Sequence, residues 1–248
     1  SVPLNAFVSL PVLQKAMGQP NRVNTILVSG KVDSGLDAAL SQAATLDDLG
    51  IVIWQADSHV SVESTQFVLQ PHLADVIQNL ADEADLSSLS VLTYLANTIQ
   101  VNEKDVPYST VVAMDVKDFG GLTLLDGAVA PALDENEIFL NAWTAKDLGA
   151  QVGDTVEIGY FEVGSKEDLI TRRAMFRLKG IVAMTGLGGD PTLSPEYPGL
   201  QGADDMSAWD APFPVSLDRI REQDELYWDD YHAAPKAFVS AATGQRLW

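Results

Sequence analysis

One strand-to-helix unit is written twice in this chain, near its two ends. Asn5-Ala6-Phe7-Val8-Ser9-Leu10-Pro11-Val12-Leu13-Gln14-Lys15-Ala16-Met17 returns as Lys236-Ala237-Phe238-Val239-Ser240-Ala241-Ala242-Thr243-Gly244-Gln245-Arg246-Leu247-Trp248, with Ala, Phe, Val, Ser and Gln in register and Lys15 matched by Arg246. Each copy reads as a short apolar strand that ends at a Ser placed to accept a hydrogen bond from an unpaired first-turn N–H. The second copy stops inside its helix. The chain is therefore expected to be a piece of a longer protein, cut within a repeated α/β unit.

Length and apolar content (46%) allow one large domain or two small ones with a proper core. The longest apolar runs, residues 49–54 and 180–184, are far shorter than the roughly 20 residues of a membrane-spanning helix, so no span is expected in this fragment. A formal charge of −20 repels phosphate backbones and anionic lipid, which disfavours nucleic acid as a partner. Spread along the chain, that charge has its simplest reading in a solvated surface. The absence of Cys excludes disulfides and thiolate metal sites and fits either side of a membrane.

Along the chain, Asn24-Thr25-Ile26-Leu27-Val28 reads as a second strand, closed by Ser29-Gly30, which gives a βαβ-like start. Ser34 then caps a helix with Leu36, Ala39, Leu40, Ala43 and Leu46 at helical spacing, ended by Gly50. Residues 51–54 and 59–63 are strand-like. From Pro71 an amphipathic helix runs through Leu73, Val76, Ile77 and Leu80. Residues 90–99 and 108–114 are β-prone and separated by Asn102-Glu103-Lys104-Asp105, as in a hairpin or adjacent strands. Texture changes at Gly120-Gly121: Asn141 caps a helix from Ala142 to Leu148, Gly149 supplies its left-handed stop, and strands follow at 155–161 and 174–184. Residues 185–216 are Gly- and Pro-rich, an irregular excursion of a length that is either functional or an extended arm. Ser216 then caps a polar helix from Leu217 to Asp230.

Chemistry is sparsely marked. His59, His72 and His232 lack metal-ligand spacing. No Gly-x-Ser-x-Gly elbow is present. Gly186-Leu187-Gly188-Gly189 runs into Asp190-Pro191 and reads as a turn instead of a phosphate loop. An acidic group (Asp204, Asp205, Asp210, Asp218, Glu222, Asp224, Glu225, Asp229, Asp230) is relieved by Arg219 and Arg221. It reads as an ion-paired face, with calcium as the sharper alternative. Trp209, Phe213, Tyr227, Trp228 and Tyr231 form the candidate partner surface. The same rings would equally serve to pin a Pro-rich arm to its own domain. No catalytic, cofactor-binding or metal-ligating residue is assigned.

Several stretches together resemble the extracytoplasmic regions of bacterial ABC transporter permeases of the MacB/FtsX type. They are Phe7 to Lys15 with Arg22 to Val28, Leu92-Thr93-Tyr94-Leu95-Ala96-Asn97, Val106-Pro107-Tyr108-Ser109, Glu137-Ile138-Phe139-Leu140-Asn141, Asp147-Leu148-Gly149, Val152-Gly153-Asp154-Thr155-Val156 and Phe176 to Val182. The resemblance implies an α+β fold, a porter-like α/β subdomain combined with a β-rich subdomain, with mixed sheets and short amphipathic helices. Residues 1–120 would be the porter-like region, 121–185 the β-rich subdomain, and 186–248 the arm, acidic helix and repeated unit returning to the first. It implies a non-catalytic periplasmic part of an inner-membrane protein that needs no cofactor. That part would couple ATP hydrolysis by a cytoplasmic ATP-binding subunit to movement or recognition of a substrate, a periplasmic protein or a lipoprotein. Two other classes are a stand-alone module binding peptide, lipoprotein or glycan through residues 195–231, and a hydrolase built on two carboxylates.

Overall fold

Two-residue turns, helix caps and alternating apolar strands decide the local structure, and a closed β-barrel collects most of it. The computed structural model describes residues 7–29, 35–56, 59–66, 68–115, 121–163, 168–195, 205–206, 209 and 214–248. The chain divides into two units, residues 1–49 and residues 50–248. The whole is mixed helix and strand, an α+β chain.

The first unit holds helix α1 (Leu10–Ala16), helix α2 (Gly35–Ala43) and a 3-10 turn at Asp47–Leu49. None of its described residues is buried. The strands expected at Phe7-Val8 and at Asn24 to Val28 do not form. A strand is stable only where a neighbour takes its N–H and C=O groups, and the described residues of this unit contain no other strand. Ser9 has extended N-cap dihedrals, yet its side chain makes no capping hydrogen bond. The expected cap at Ser34, like Ala6 and Gly30, lies outside the described residues.

In the second unit β1 (Ile51–Gln55) and β2 (Val60–Ser64) form an antiparallel pair. Trp54 Nε1 donates to Glu63 across it. Helix α3 (Pro71–Glu83) begins with Pro71 in its first turn, where the missing N–H costs nothing. The barrel follows, with β3 (Val91–Val101), β4 (Lys104–Met114), β5 (Glu137–Asn141), β6 (Thr155–Val163), β7 (Leu169–Val182) and β8 (Ala237–Val239). Its order is β3-β4-β8-β5-β7-β6, closed on itself. Strands from both sides of residue 120 thus share one barrel with the second copy of the repeat. Asn102, with φ 55, makes the tight turn between β3 and β4, a conformation Asn tolerates.

Helix α4 (Ala142–Leu148) is capped as its sequence reads: Asn141 Oδ1 accepts from the Thr144 N–H at 2.7 Å, and Gly149 at φ 67 ends it. Ile99, Val111, Ile138, Leu140, Ile158 and Leu178 fill the barrel with no exposed surface. The second copy of the repeat completes this core. β8 pairs parallel with β4 and antiparallel with β5. Helix α6 (Ala241–Leu247) starts at Ser240, whose Oγ accepts from the Thr243 N–H. The polar helix begins later than expected. Ser216 leads only into a 3-10 turn at Leu217–Arg219, and helix α5 spans Glu222–Tyr231 with Arg221 at its N-cap. The carboxylate of Asp224 accepts the N–H of Arg221, so the true cap is set by an acid three residues into the helix.

Candidate functional site

Helix α5 is anchored through Asn141. Its side-chain amide donates to Tyr227 Oη and to the Pro235 carbonyl, both at 2.9 Å, while its carbonyl oxygen caps α4. One side chain therefore ties the barrel rim to α5 and to the approach of β8. Around it, three of the five rings of the candidate partner surface are buried: Trp209 at 8% exposure, Tyr227 at 2% and Trp228 at 6%. Tyr231 is half-buried against Tyr227, and Phe213 lies outside the described residues. Trp209 meets Trp228 edge-on at 5.3 Å. With Tyr108, Met206 and Ala233 they form one buried apolar cluster. Trp209, Tyr227 and Trp228 thus pack against their own chain.

The described residues Ser194, Met206 and Ser216 make polar contacts as well. Met206 N–H donates to Glu225 at 2.8 Å, Ser194 Oγ to the Ala233 carbonyl at 2.8 Å, and Ser216 N–H to Tyr108 Oη at 2.7 Å. Tyr108 sits at φ 41, a left-handed conformation unusual for an aromatic residue. Its pairing with Asn97 is missing from the β3–β4 ladder, and the inward-facing positions change parity there. That irregularity turns the Tyr108 ring out of the barrel and onto the arm. Trp209 Nε1 is buried without a hydrogen-bond partner among the described residues. The space among Trp209, Trp228, Tyr227 and Lys236 is about 20 Å³, room for one water molecule.

Beneath the rings lies a charged cluster that the sequence did not reveal. Asp224 is fully buried and receives Arg221 through Nε at 2.8 Å and Nη2 at 2.7 Å. Arg221 also reaches Asp147 on α4 at 2.8 Å. Lys236 Nζ stands 3.9 Å from Asp224 and lies over two rings, 4.5 Å from the Tyr227 centroid and 4.8 Å from that of Trp143. Such a pairing of an ammonium with aromatic faces partly replaces lost water. The Asp224 and Asp147 carboxylates hold the Arg221 guanidinium charged, Asp224 foremost. Burial raises the Tyr227 phenol well above its ordinary range.

Burial, offset in part by Asp224, pushes the Lys236 ammonium from 10.5 down to about 8. Between those values the folded chain binds fewer protons than the unfolded chain, so the contribution of Lys236 to stability rises with pH across that window and is a penalty below it. Lys236→Met is accordingly expected to be neutral or stabilising at pH 7, by up to about 3 kcal/mol, with the gap to wild type closing toward pH 10. Urea unfolding at both pH values measures this. An equal loss of stability at both would assign Lys236 a packing role without a titrating one.

The other candidates disperse. His59 approaches Thr192 Oγ1 at 3.3 Å, His72 lies on α3, and His232 ends α5 against Trp228. Among the described residues no three His, Asp or Glu side chains gather as metal ligands. Asp204 and Asp210 of the acidic group lie outside the described residues. Gly186–Gly189 is a 3-10 turn, and a Cβ on Gly188 would fall 2.2 Å from the Ala183 carbonyl oxygen, so packing accounts for that glycine. No helix among the described residues is long and apolar enough to cross a membrane. Trp143 and Lys236 carry no local motif, and only their juxtaposition marks them.

No protein-family model matches the chain. No curated protein matches it. Among solved structures, the periplasmic region of MacB from Actinobacillus actinomycetemcomitans is similar over 67% of this chain and 79% of that chain, at 18% identity and a TM-score of 0.25. A likeness of that degree carries no functional argument.

Proposed function

We propose that this chain is an extracytoplasmic domain of a bacterial ABC transporter permease of the MacB/FtsX type, a mechanical element that performs no bond chemistry. The observation that carries the reading is where the resembling stretches fall. Leu92 to Asn97 lies on β3, Val106 to Ser109 on β4, Glu137 to Asn141 on β5, Asp147 to Gly149 at the end of α4, Val152 to Val156 at the entry to β6, and Phe176 to Val182 on β7. The resembling stretches beyond residue 50 thus gather on and beside one barrel, which β8 closes, while Phe7 to Lys15 and Arg22 to Val28 lie in the first unit and form no strand. A closed barrel clasped by a buried charge cluster suits a domain that relays displacement produced by ATP hydrolysis elsewhere. Substrate or protein recognition would accompany that movement.

The absence of Cys permits a direct test, because one introduced thiol is unique in this chain. Val152 is exposed in the turn before β6. With Val152→Cys placed in the full reading frame, a membrane-impermeant maleimide is expected to label the protein in intact spheroplasts above the level of the unsubstituted protein, and ATP with vanadate to change the rate of that added labelling. Labelling only after lysis would overturn the reading.

A further inference from the structure

We propose that the segment from Ser216 to His232, the 3-10 turn with helix α5, is a strap that lifts off the barrel as one unit while the barrel stays closed. This conformational device is independent of the transporter reading. From Ser216 to Ala234, every backbone-to-backbone hydrogen bond among the described residues closes within the segment itself. The first to reach the barrel runs from the Lys236 N–H to the Thr110 carbonyl at 2.8 Å, beyond the end of the strap. The segment lies between β7 and β8 in the chain and belongs to no ladder. Side chains hold it down instead: Arg221 and Gln223 on Asp147 of α4, Tyr227 on Asn141, and Arg219 on Asp105 and Thr98. All of these can let go without breaking a ladder bond of the barrel.

The backbone is strained at both ends of the strap. Five residues other than Gly have positive φ among the described residues, and Asn21, Asp85 and Asn102 are of types that tolerate it. The other two are Tyr108 and His232. Tyr108 receives the start of the strap: its Oη accepts from the Ser216 N–H, and the Arg219 guanidinium lies 5.6 Å from its ring centre. His232 forms the end. The Ala234 N–H donates to the Tyr231 carbonyl at 3.0 Å, closing a turn whose first central residue is His232, at φ 49 and ψ −130. These are the angles of a type II′ turn, where Gly is the usual occupant. A side chain held there costs energy and persists only where its surroundings enforce it. Here they do, because the His232 N–H closes α5 on the Trp228 carbonyl and the Ala233 carbonyl is held by Ser194 Oγ. The strain exists only while the strap is shut, so it favours opening, and the charged cluster and the rings oppose it. Opening bares Leu95, Tyr108 and Thr110 on the outer face of β3 and β4 and admits water to Lys236.

Native-state hydrogen exchange of the chain in rising urea tests this. The amides of Leu226 to Tyr231 in α5 are expected to exchange together, about tenfold faster than those of Val111 to Ala113 in β4 and with a shallower urea dependence, since lifting the strap exposes less surface than unfolding the chain. Ile158→Val loosens the barrel core, where Ile158 has no exposed surface, and should quicken exchange in β4 while leaving α5 unchanged. His232→Gly relieves the turn and should slow α5 exchange about fivefold, although the freedom of glycine in an open segment would by itself quicken it. His232→Ala loses the ring, keeps the strain and should not slow it. One rate and one urea dependence for α5 and β4, equal action of Ile158→Val on both, α5 exchange in His232→Gly no slower than in wild type, or equal slowing by His232→Ala would each overturn the proposal.

Discussion

Asp224→Ala is expected to lower the stability of the chain by about 3–5 kcal/mol, since it leaves buried cations without their counter-charge. Asp224 has no exposed surface and simultaneously accepts from the Arg221 side chain, the Arg221 N–H and, at longer range, Lys236. Removing it frees the N-terminus of α5 and strands an ammonium that Trp143 and Tyr227 alone do not compensate. Urea unfolding of the chain, read by Trp fluorescence, measures the loss. Asp218→Ala, on the exposed 3-10 turn, is the control and should stay within about 0.5 kcal/mol of wild type. Adding Lys236→Met to Asp224→Ala should restore part of the loss, because the two residues share one interaction and their effects do not add. A deficit under about 1 kcal/mol for Asp224→Ala would mean that the cluster is effectively solvated.

Gly244→Leu carries the second large effect and probes the repeat itself. Leu13 occupies the matching place in the first copy, yet a Cβ on Gly244 would lie 2.2 Å from the Cβ of Ala113 on β4. Glycine normally costs a helix about 1 kcal/mol against alanine, so a simple propensity argument predicts stabilisation. Here the crowding wins. Forcing larger groups into a packed contact costs about 1–3 kcal/mol and occasionally more, and α6 cannot step back without pulling β8 from the barrel. The melting temperature should fall by about 5–10 °C, with amide exchange quickened first in β8 and its partners on β4 and β5. Leu13→Gly in the first copy, where Leu13 is exposed, should leave the barrel strands unchanged. Unaltered melting of Gly244→Leu would contradict this packing. The two copies are therefore not interchangeable: the slot filled by the second is closed to the side chain the first would bring.

What was legible in the sequence was local. Asn141 and Gly149 bracket α4 because a side-chain cap and a left-handed stop are decided within a few residues. Pro71 opens α3, and Asn102 turns the β3–β4 hairpin, for the same reason. The candidate site was legible only in part. Trp209, Tyr227 and Trp228 stood out as large rings, and nothing local distinguishes a ring that faces a partner from one that pins an arm. Arg221 and Asp224 looked like members of a solvated acidic helix because the group that buries them comes from α4, β8 and the arm.

The repeat gives the sharpest division between the two levels. By itself the sequence determined that each copy carries an apolar run, a Ser able to cap, and helix-forming residues after it, and in both copies a helix begins directly after that Ser. Only the tertiary structure decided which copy becomes a strand and which Ser caps. Ala237–Val239 lies between β4 and β5, which satisfy its backbone from both sides, and Ser240 makes the capping bond that Ser9 does not. Phe7 and Val8 have no such neighbours among the described residues of their unit, and they remain exposed and unpaired. A helix closes its hydrogen bonds within one segment, whereas a strand borrows them from residues far away in the chain, so the same short sequence can specify the first and not the second.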